Sequence, residues 1–207
     1  MGGLEFSLAP VIKKPKRAPR RISSGSEEKA RLNLTREELQ SLVKKYDQES
    51  PFWVSEEKRI GDQIRKEKQF GMDTLKEIVH WKFLDLPGRE KRVNNHLKQH
   101  TNEDVRKITG WILPLSTNED RKRVEGLRML KGIGVSLASV ILTFYNPQDY
   151  CVYDIHVMRE VYGKEPKYMF TSSRHYLRLL NDLREYSTRV NLPVRTIEKA
   201  LFRKNLG

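Results

Sequence analysis

From about residue 34 onward, apolar residues recur every three to four positions, the period of an amphipathic helix. Leu39, Leu42, Val43 and Tyr46 form one such stripe. Ahead of it, Thr35-Arg36-Glu37-Glu38 has the spacing of a capping box, in which hydroxyl and carboxylate each accept an otherwise free amide. Ser55-Glu56-Glu57 opens a second helix with Ile60 and Ile64 on one face. Asp73 precedes Leu75, Ile78, Val79 and Phe83 in a third. Thr101-Asn102-Glu103-Asp104 leads into Val105, Ile108, Ile112 and Leu115, and Thr117-Asn118-Glu119-Asp120 into Val124, Leu127 and Leu130. Val135 to Phe144 is apolar nearly all round, which predicts a central buried helix. Asp154 stands at an N-cap before Ile155, Met158 and Val161, and Gly163 at the matching C-terminal stop. Two further helices are expected over about 172–188 and 194–204, the second opened by Pro193. No apolar/polar alternation persists and no solenoid repeat is present, so the predicted fold class is all-α.

The length of 207 residues suits one domain or two small interlocked lobes. Hydrophobic residues make up 37% and charged residues 32%, enough for a core beneath a heavily charged surface. Forty basic residues against 27 acidic ones give a net charge of +13, which points to a polyanionic partner; ribosomal or membrane-surface binding would carry the same charge. No run approaches the roughly 20 apolar residues of a membrane span. Met1 to Pro10 lacks a charged segment ahead of an apolar one, against a secretory signal. An intracellular protein is expected, cytoplasmic or nucleoid-associated in a prokaryote and nuclear in a eukaryote. The single cysteine, Cys151, excludes a disulfide framework, a four-cysteine zinc site and a cysteine-ligated iron–sulfur cluster. Among the five histidines only His96 and His100 are spaced as a helical ligand pair, without a third ligand nearby, so neither metal nor other cofactor is expected.

Residues 1–30 differ in composition. Lys13 to Arg21 holds six basic residues and two prolines in nine positions, then runs into Ser23-Ser24-Gly25-Ser26. Repelling charges and proline prevent a packed core, so a disordered basic arm is expected. It suits a phosphate backbone, a nuclear import signal or a solubilising tail alike.

The most specific stretch is Leu130-Lys131-Gly132-Ile133-Gly134-Val135-Ser136, followed by Leu137 to Leu142. A helix ends, two glycines one residue apart reverse the chain, and an apolar helix begins at once. Such a turn aims the amides around Ile133 to Ser136 outward at a helix N-terminus, a site for a phosphate oxygen. Lys131 to Ser136 are therefore the candidate phosphate-binding residues; a glycine turn used only for packing would read the same way. About twenty residues later comes Cys151-Val152-Tyr153-Asp154-Ile155-His156-Val157. Asp154 serves as a cap in either case. At a cleft mouth it would also stabilise the cation that forms on a sugar as an N-glycosidic bond breaks.

The hairpin Leu130–Leu142 with Asp154 at that spacing resembles the helix-hairpin-helix base-excision DNA glycosylases, the HhH-GPD family, over about residues 120–165. That resemblance implies a two-lobed helical fold with a cleft between lobes: an HhH-GPD-like domain over 31–207, its middle lobe about 70–160 and its second lobe 31–69 plus 161–207. It implies a monomer that binds double-stranded DNA, flips out a damaged or mismatched base and cleaves its glycosidic bond, with Asp154 catalytic. Family members that also nick the strand place a lysine where this chain has Ser136, so the resemblance implies a monofunctional enzyme. Lys131 stands where the family often has proline, and Tyr153 where it often has valine or proline. Lys82, in His80-Trp81-Lys82-Phe83, is the lysine outside the hairpin that could form a Schiff base; a solvated lysine on an amphipathic helix fits the same pattern. Trp81 and Tyr153, with Trp53, Trp111 and Tyr145, are the aromatic candidates for a base pocket, and His156 is a candidate for a phosphate contact or for assisting protonation. Two other functions suit the sequence: a non-catalytic hairpin DNA-binding protein, and a glycosylase with abasic-site lyase activity from a lysine outside the hairpin.

Overall fold

A computed structural model describes residues 30–163 and 172–207, so the basic arm, Ala30 excepted, lies outside the described residues. These form ten α-helices, one short 3-10 turn over Thr117–Glu119 and no strand. The chain is all-α. The helices are α1 (Arg36–Glu49), α2 (Pro51–Glu67), α3 (Met72–Phe83), α4 (Pro87–Leu97), α5 (Asn102–Ile112), α6 (Asp120–Leu127), α7 (Val135–Tyr145), α8 (Ile155–Tyr162), α9 (Ser173–Val190) and α10 (Val194–Leu206). None of the described helices is long and apolar enough to cross a membrane.

Local chemistry sets most boundaries. Thr35 Oγ1 accepts the Glu38 amide at 3.2 Å while Glu38 Oε2 accepts the Thr35 amide at 2.7 Å, and Thr101 with Asp104 repeats the box before α5 at 3.1 and 2.8 Å. Gly163 ends α8 in the left-handed region with φ 73°. Two expectations are corrected. The second helix begins at Pro51 rather than Ser55, because proline presets helical φ and gives up an amide that the first turn leaves unbonded anyway. The polar helix α4 stops at Leu97, so His96 and His100 do not share a helix face. His100 Nε2 instead accepts the Lys131 amide at 2.8 Å, and no cluster of three or more metal-ligating side chains occurs among the described residues.

The apolar helix α7 lies at the centre, with Val135, Leu137, Ala138, Val140, Ile141, Leu142 and Phe144 buried. Each of the valine, leucine, isoleucine and phenylalanine side chains contributes about 1.5–3 kcal/mol on removal from water. Helices α2, α3 and α6 pack on α7, α4 and α5 flank α3, and the two ends of the chain meet where α1 lies on α10. A buried ionic cluster ties these parts together. Arg195 of α10 donates to Glu57 of α2 at 2.7 Å, pairs with Glu198 one turn on, and lies over the rings of Trp81 and Tyr46. Burial pushes the Glu198 carboxyl up despite Arg195, whereas at Glu57 burial is outweighed by Arg195 and Lys199 and the carboxyl is held down. Removing one partner of such a set strands the others in a medium that solvates charge poorly.

Replacing Arg195 by Met should therefore lower the unfolding free energy at neutral pH by about 3 kcal/mol or more. The deficit should shrink as the pH falls toward about 4.3, where glutamates ordinarily protonate, because the stranded carboxyls then lose their charge. Urea unfolding of both proteins across pH checks this. A pH-independent loss under about 1 kcal/mol would show that the cluster contributes little.

Candidate active site

The turn between α6 and α7 takes its shape from Gly132, whose φ of 96° suits a residue without a side chain. A Cβ there would lie 3.0 Å from His96 Cβ and 3.2 Å from the Val93 carbonyl, so the turn also packs tightly on α4. Gly134, the N-cap of α7, has extended backbone, and a Cβ on it would meet nothing within 4 Å. One glycine closes the bend and the other puts no side chain over the helix end.

This geometry narrows the expected phosphate site. The amides of Lys131 and Ile133 are taken, by His100 Nε2 at 2.8 Å and by the Leu130 carbonyl at 2.9 Å, and the Ile133 side chain is buried. The Lys131 ammonium reaches Gln99 Oε1 at 2.7 Å. Among the described residues the amides of Gly134, Val135 and Ser136 have no acceptor, as the first turn of a helix requires. They stand at the positive end of the α7 dipole, where Gly134 and Ser136 are partly exposed and Val135 is buried.

Two serines of α7 place the carboxylate. The Ser136 hydroxyl donates to the Tyr153 carbonyl at 3.1 Å, and Ser139 Oγ accepts the Tyr153 amide at 2.8 Å while donating to the Ser136 carbonyl at 2.7 Å. Glu198 Oε2 accepts the Val152 amide at 3.3 Å, and the Tyr176 hydroxyl donates to the Cys151 carbonyl at 3.3 Å. The peptide before Asp154 is thus fixed to the same turn of α7 that carries the free amides. Ser139, a hydroxyl one turn after Ser136 in an otherwise apolar stretch, is the signal in the sequence that could have revealed this support; Glu198 had none beyond an acid on an apolar helix face.

Asp154 caps α8 through Oδ1, which accepts the His156 amide at 3.0 Å; Oδ2 accepts from the Lys82 ammonium at 2.9 Å. Lys82 comes from the last turn of α3, and the two side chains are 14% and 19% exposed, sheltered yet open to solvent. Burial alone would raise the Asp154 carboxyl, but the Lys82 charge and hydrogen bond, the His156 amide and the His156 ring prevail, and it lies below the ordinary aspartate range.

The structure therefore brings together Asp154, Lys82, Ser136 and the 134–136 amides. Of the other candidates, His156 meets Asp154 through its backbone amide, and the side chains of Trp81 and Tyr153 turn into the core. Trp81 is 4% exposed, its indole N–H donating to the Trp53 carbonyl at 2.9 Å and its ring set edge-on against Phe144. The Tyr153 ring is buried beside Tyr176. Both complete the core around α7, and Trp81 also borders the cavity between α2, α3 and α4. His156 turns toward α10, with Nδ1 2.9 Å from Asn205 Oδ1 and its ring edge-on to Phe202. Trp111 on α5 is 62% exposed. A cavity of about 320 Å³, lined by Phe52, Arg59, His80, Trp81, Glu90 and Asn94 among others, opens between α2, α3 and α4; neither Lys82, Asp154 nor the hairpin lines it.

Comparison with family models, with curated proteins and with solved structures gave no match to this chain.

Proposed function

We propose that the chain is a helix-hairpin-helix DNA glycosylase, with two helical lobes and a cleft between them. It would take duplex DNA bearing a damaged or mismatched base, hold the backbone at the Gly134 and Ser136 amides and release the flipped base at Asp154. The observation that carries this reading is the double clamp from Ser136 and Ser139 to Tyr153, which ties the loop of an ionised, partly sheltered carboxylate to the first turn of α7. Phosphate at such amides positions a strand without reading its sequence, and a nearby anion favours the oxocarbenium-like state of base loss. A depressed pKa suits charge stabilisation, since the group stays ionised at working pH, and does not suit acid catalysis.

The Lys82 contact favours one elaboration, in which abasic-site lyase activity accompanies base release. A carboxylate shared with an ammonium stabilises a sugar cation less than a bare one does. Transfer of the Lys82 proton to the departing base would restore the bare carboxylate and leave a neutral amine beside the sugar. Water adds to C1′ of the sugar cation and gives up a proton to solvent, the ring opens to the aldehyde, and the amine can condense with it, expelling water to form an imine. Loss of a C2′ proton then drives β-elimination of the 3′ phosphate. Ser136 cannot supply this amine, and Lys82 is 2.9 Å from the carboxylate.

Asp154→Asn should lower the rate of base release by about 100-fold or more while changing duplex affinity only a few-fold, measured by single-turnover abasic-site formation and by titration. Because its carboxyl is held below the ordinary aspartate value of about 3.9, any acid limb that this group gives wild-type release should have its midpoint below that pH. Unchanged release by the Asn variant would remove Asp154 from the chemistry.

Borohydride added to wild-type protein on abasic DNA should trap a covalent adduct that Lys82→Gln does not form. No adduct with the wild type would dismiss the lyase step and leave the glycosylase reading in place.

A further inference from the structure

We infer that α4 is a second backbone-binding element, whose Arg89 and Arg92 continue the track of phosphates that begins at the hairpin. The inference rests on the nucleic-acid reading above and extends it to a surface that neither the hairpin nor the carboxylate includes. Three observations carry it.

The first is position. The C-terminal half of α4 lies against the hairpin turn, with His96 and Val93 around Gly132, His100 holding the Lys131 amide and Gln99 holding its ammonium. At helical spacing Arg89, Arg92 and His96 form one ridge of α4, so the ridge that meets the hairpin at Gly132 through His96 carries two guanidiniums at its other end, while Gln99, just past the helix, holds Lys131. With a rise of 1.5 Å per residue, Arg92 lies about 6 Å and Arg89 about 10 Å up the helix from His96. Successive phosphates of one duplex strand advance about 3.4 Å along the axis, so the two arginines can meet phosphates two or three steps from the one at the hairpin.

The second is charge. Arg89, Lys91, Arg92 and Lys98 are exposed, and among the described residues none of their side chains has an ion pair or hydrogen bond. The one acid of α4, Glu90, is turned away toward His80 of α3, 3.1 Å distant. Like charges at i, i+3 weaken a helix by a few tenths of a kcal/mol, with no structural gain here to offset it. An external polyanion supplies the missing counter-charge.

The third observation selects the partner. Val93 packs against the core and Leu97 is buried, so the apolar residues of α4 face inward. An interfacial membrane helix would turn them outward. The ridge is polar along its length, which suits phosphates lining a groove.

The test compares affinity for an undamaged duplex oligonucleotide across salt concentration, using the full chain. Arg89→Gln/Arg92→Gln should reduce the slope of log affinity against log salt by about 1.8, two contacts at about 0.9 each. Wild type should consequently lose about tenfold more affinity than this variant between 50 and 200 mM salt. Lys44→Gln/Lys45→Gln, two exposed lysines of α1, makes the same change in net charge and should leave the slope unaltered. Equal effects of the two double variants would overturn the inference in favour of diffuse charge. An unchanged slope for Arg89→Gln/Arg92→Gln, with binding lost in Gly134→Val, would overturn it while sparing the hairpin reading. No duplex binding by wild type would overturn both, as would α4-dependent binding to anionic vesicles in its place.

Discussion

The arrangement of the candidate site depends on the grip of α7 on the peptide of Tyr153. Ser136 and Ser139 hold its carbonyl and its amide, so the loop entering α8 cannot shift without breaking two hydrogen bonds at once. Each such bond is worth about 1 kcal/mol net, and more when its loss would strand a buried group. The consequence is positional. The hairpin that could hold a phosphate and the carboxylate that could meet a sugar share one rigid support. Asp154 then divides its two oxygens between the start of α8 and the amine of Lys82.

Behind this support stands a layer of charge. Glu198 bonds the Val152 amide while paired with Arg195, which in turn holds Glu57. At the start of the same loop, Asp120 of α6 meets Arg184 of α9 at 2.5 Å and accepts from the Tyr150 hydroxyl at 2.5 Å. Arg123 donates to the same Tyr150 oxygen at 2.8 Å and to the Leu113 carbonyl at 3.1 Å. The loop over 149–154 is thus pinned along its length, by α9 and α6 at one end and by α10 and α7 at the other. Apolar burial would make the domain stable; these directional contacts fix where one carboxylate sits.

Much of the fold was legible because helix ends and helix faces are local. The capping boxes at Thr35 and Thr101, the uninterrupted apolar run of α7 and the Asp154 to Gly163 bracket each depend on residues within a few positions of one another. Helix α4 was less legible, since only Val93 and Leu97 mark its inner face. In the site, Lys82 and Asp154 were both nameable from their chemistry, but their meeting across 72 residues depends on how α3 crosses the fold. Trp81 and Tyr153 fail as stacking surfaces for the same reason in reverse. An aromatic ring offers itself to a base only if tertiary packing leaves it a face, and here α7 and α9 take both. The support from Ser139 and Glu198 was hidden because a serine or glutamate on a helix is ordinary until a loop is found against it.

The most direct measurement of the central claim follows the products from a set of duplexes, each carrying one damaged or mismatched base, after incubation with the protein and then with alkali. The account predicts alkali-sensitive sites at the altered nucleotide in at least one member of the set. Salt-sensitive binding to every duplex with no abasic site in any would contradict it, and would leave the hairpin as the grip of a protein that holds DNA without cutting the base from its sugar.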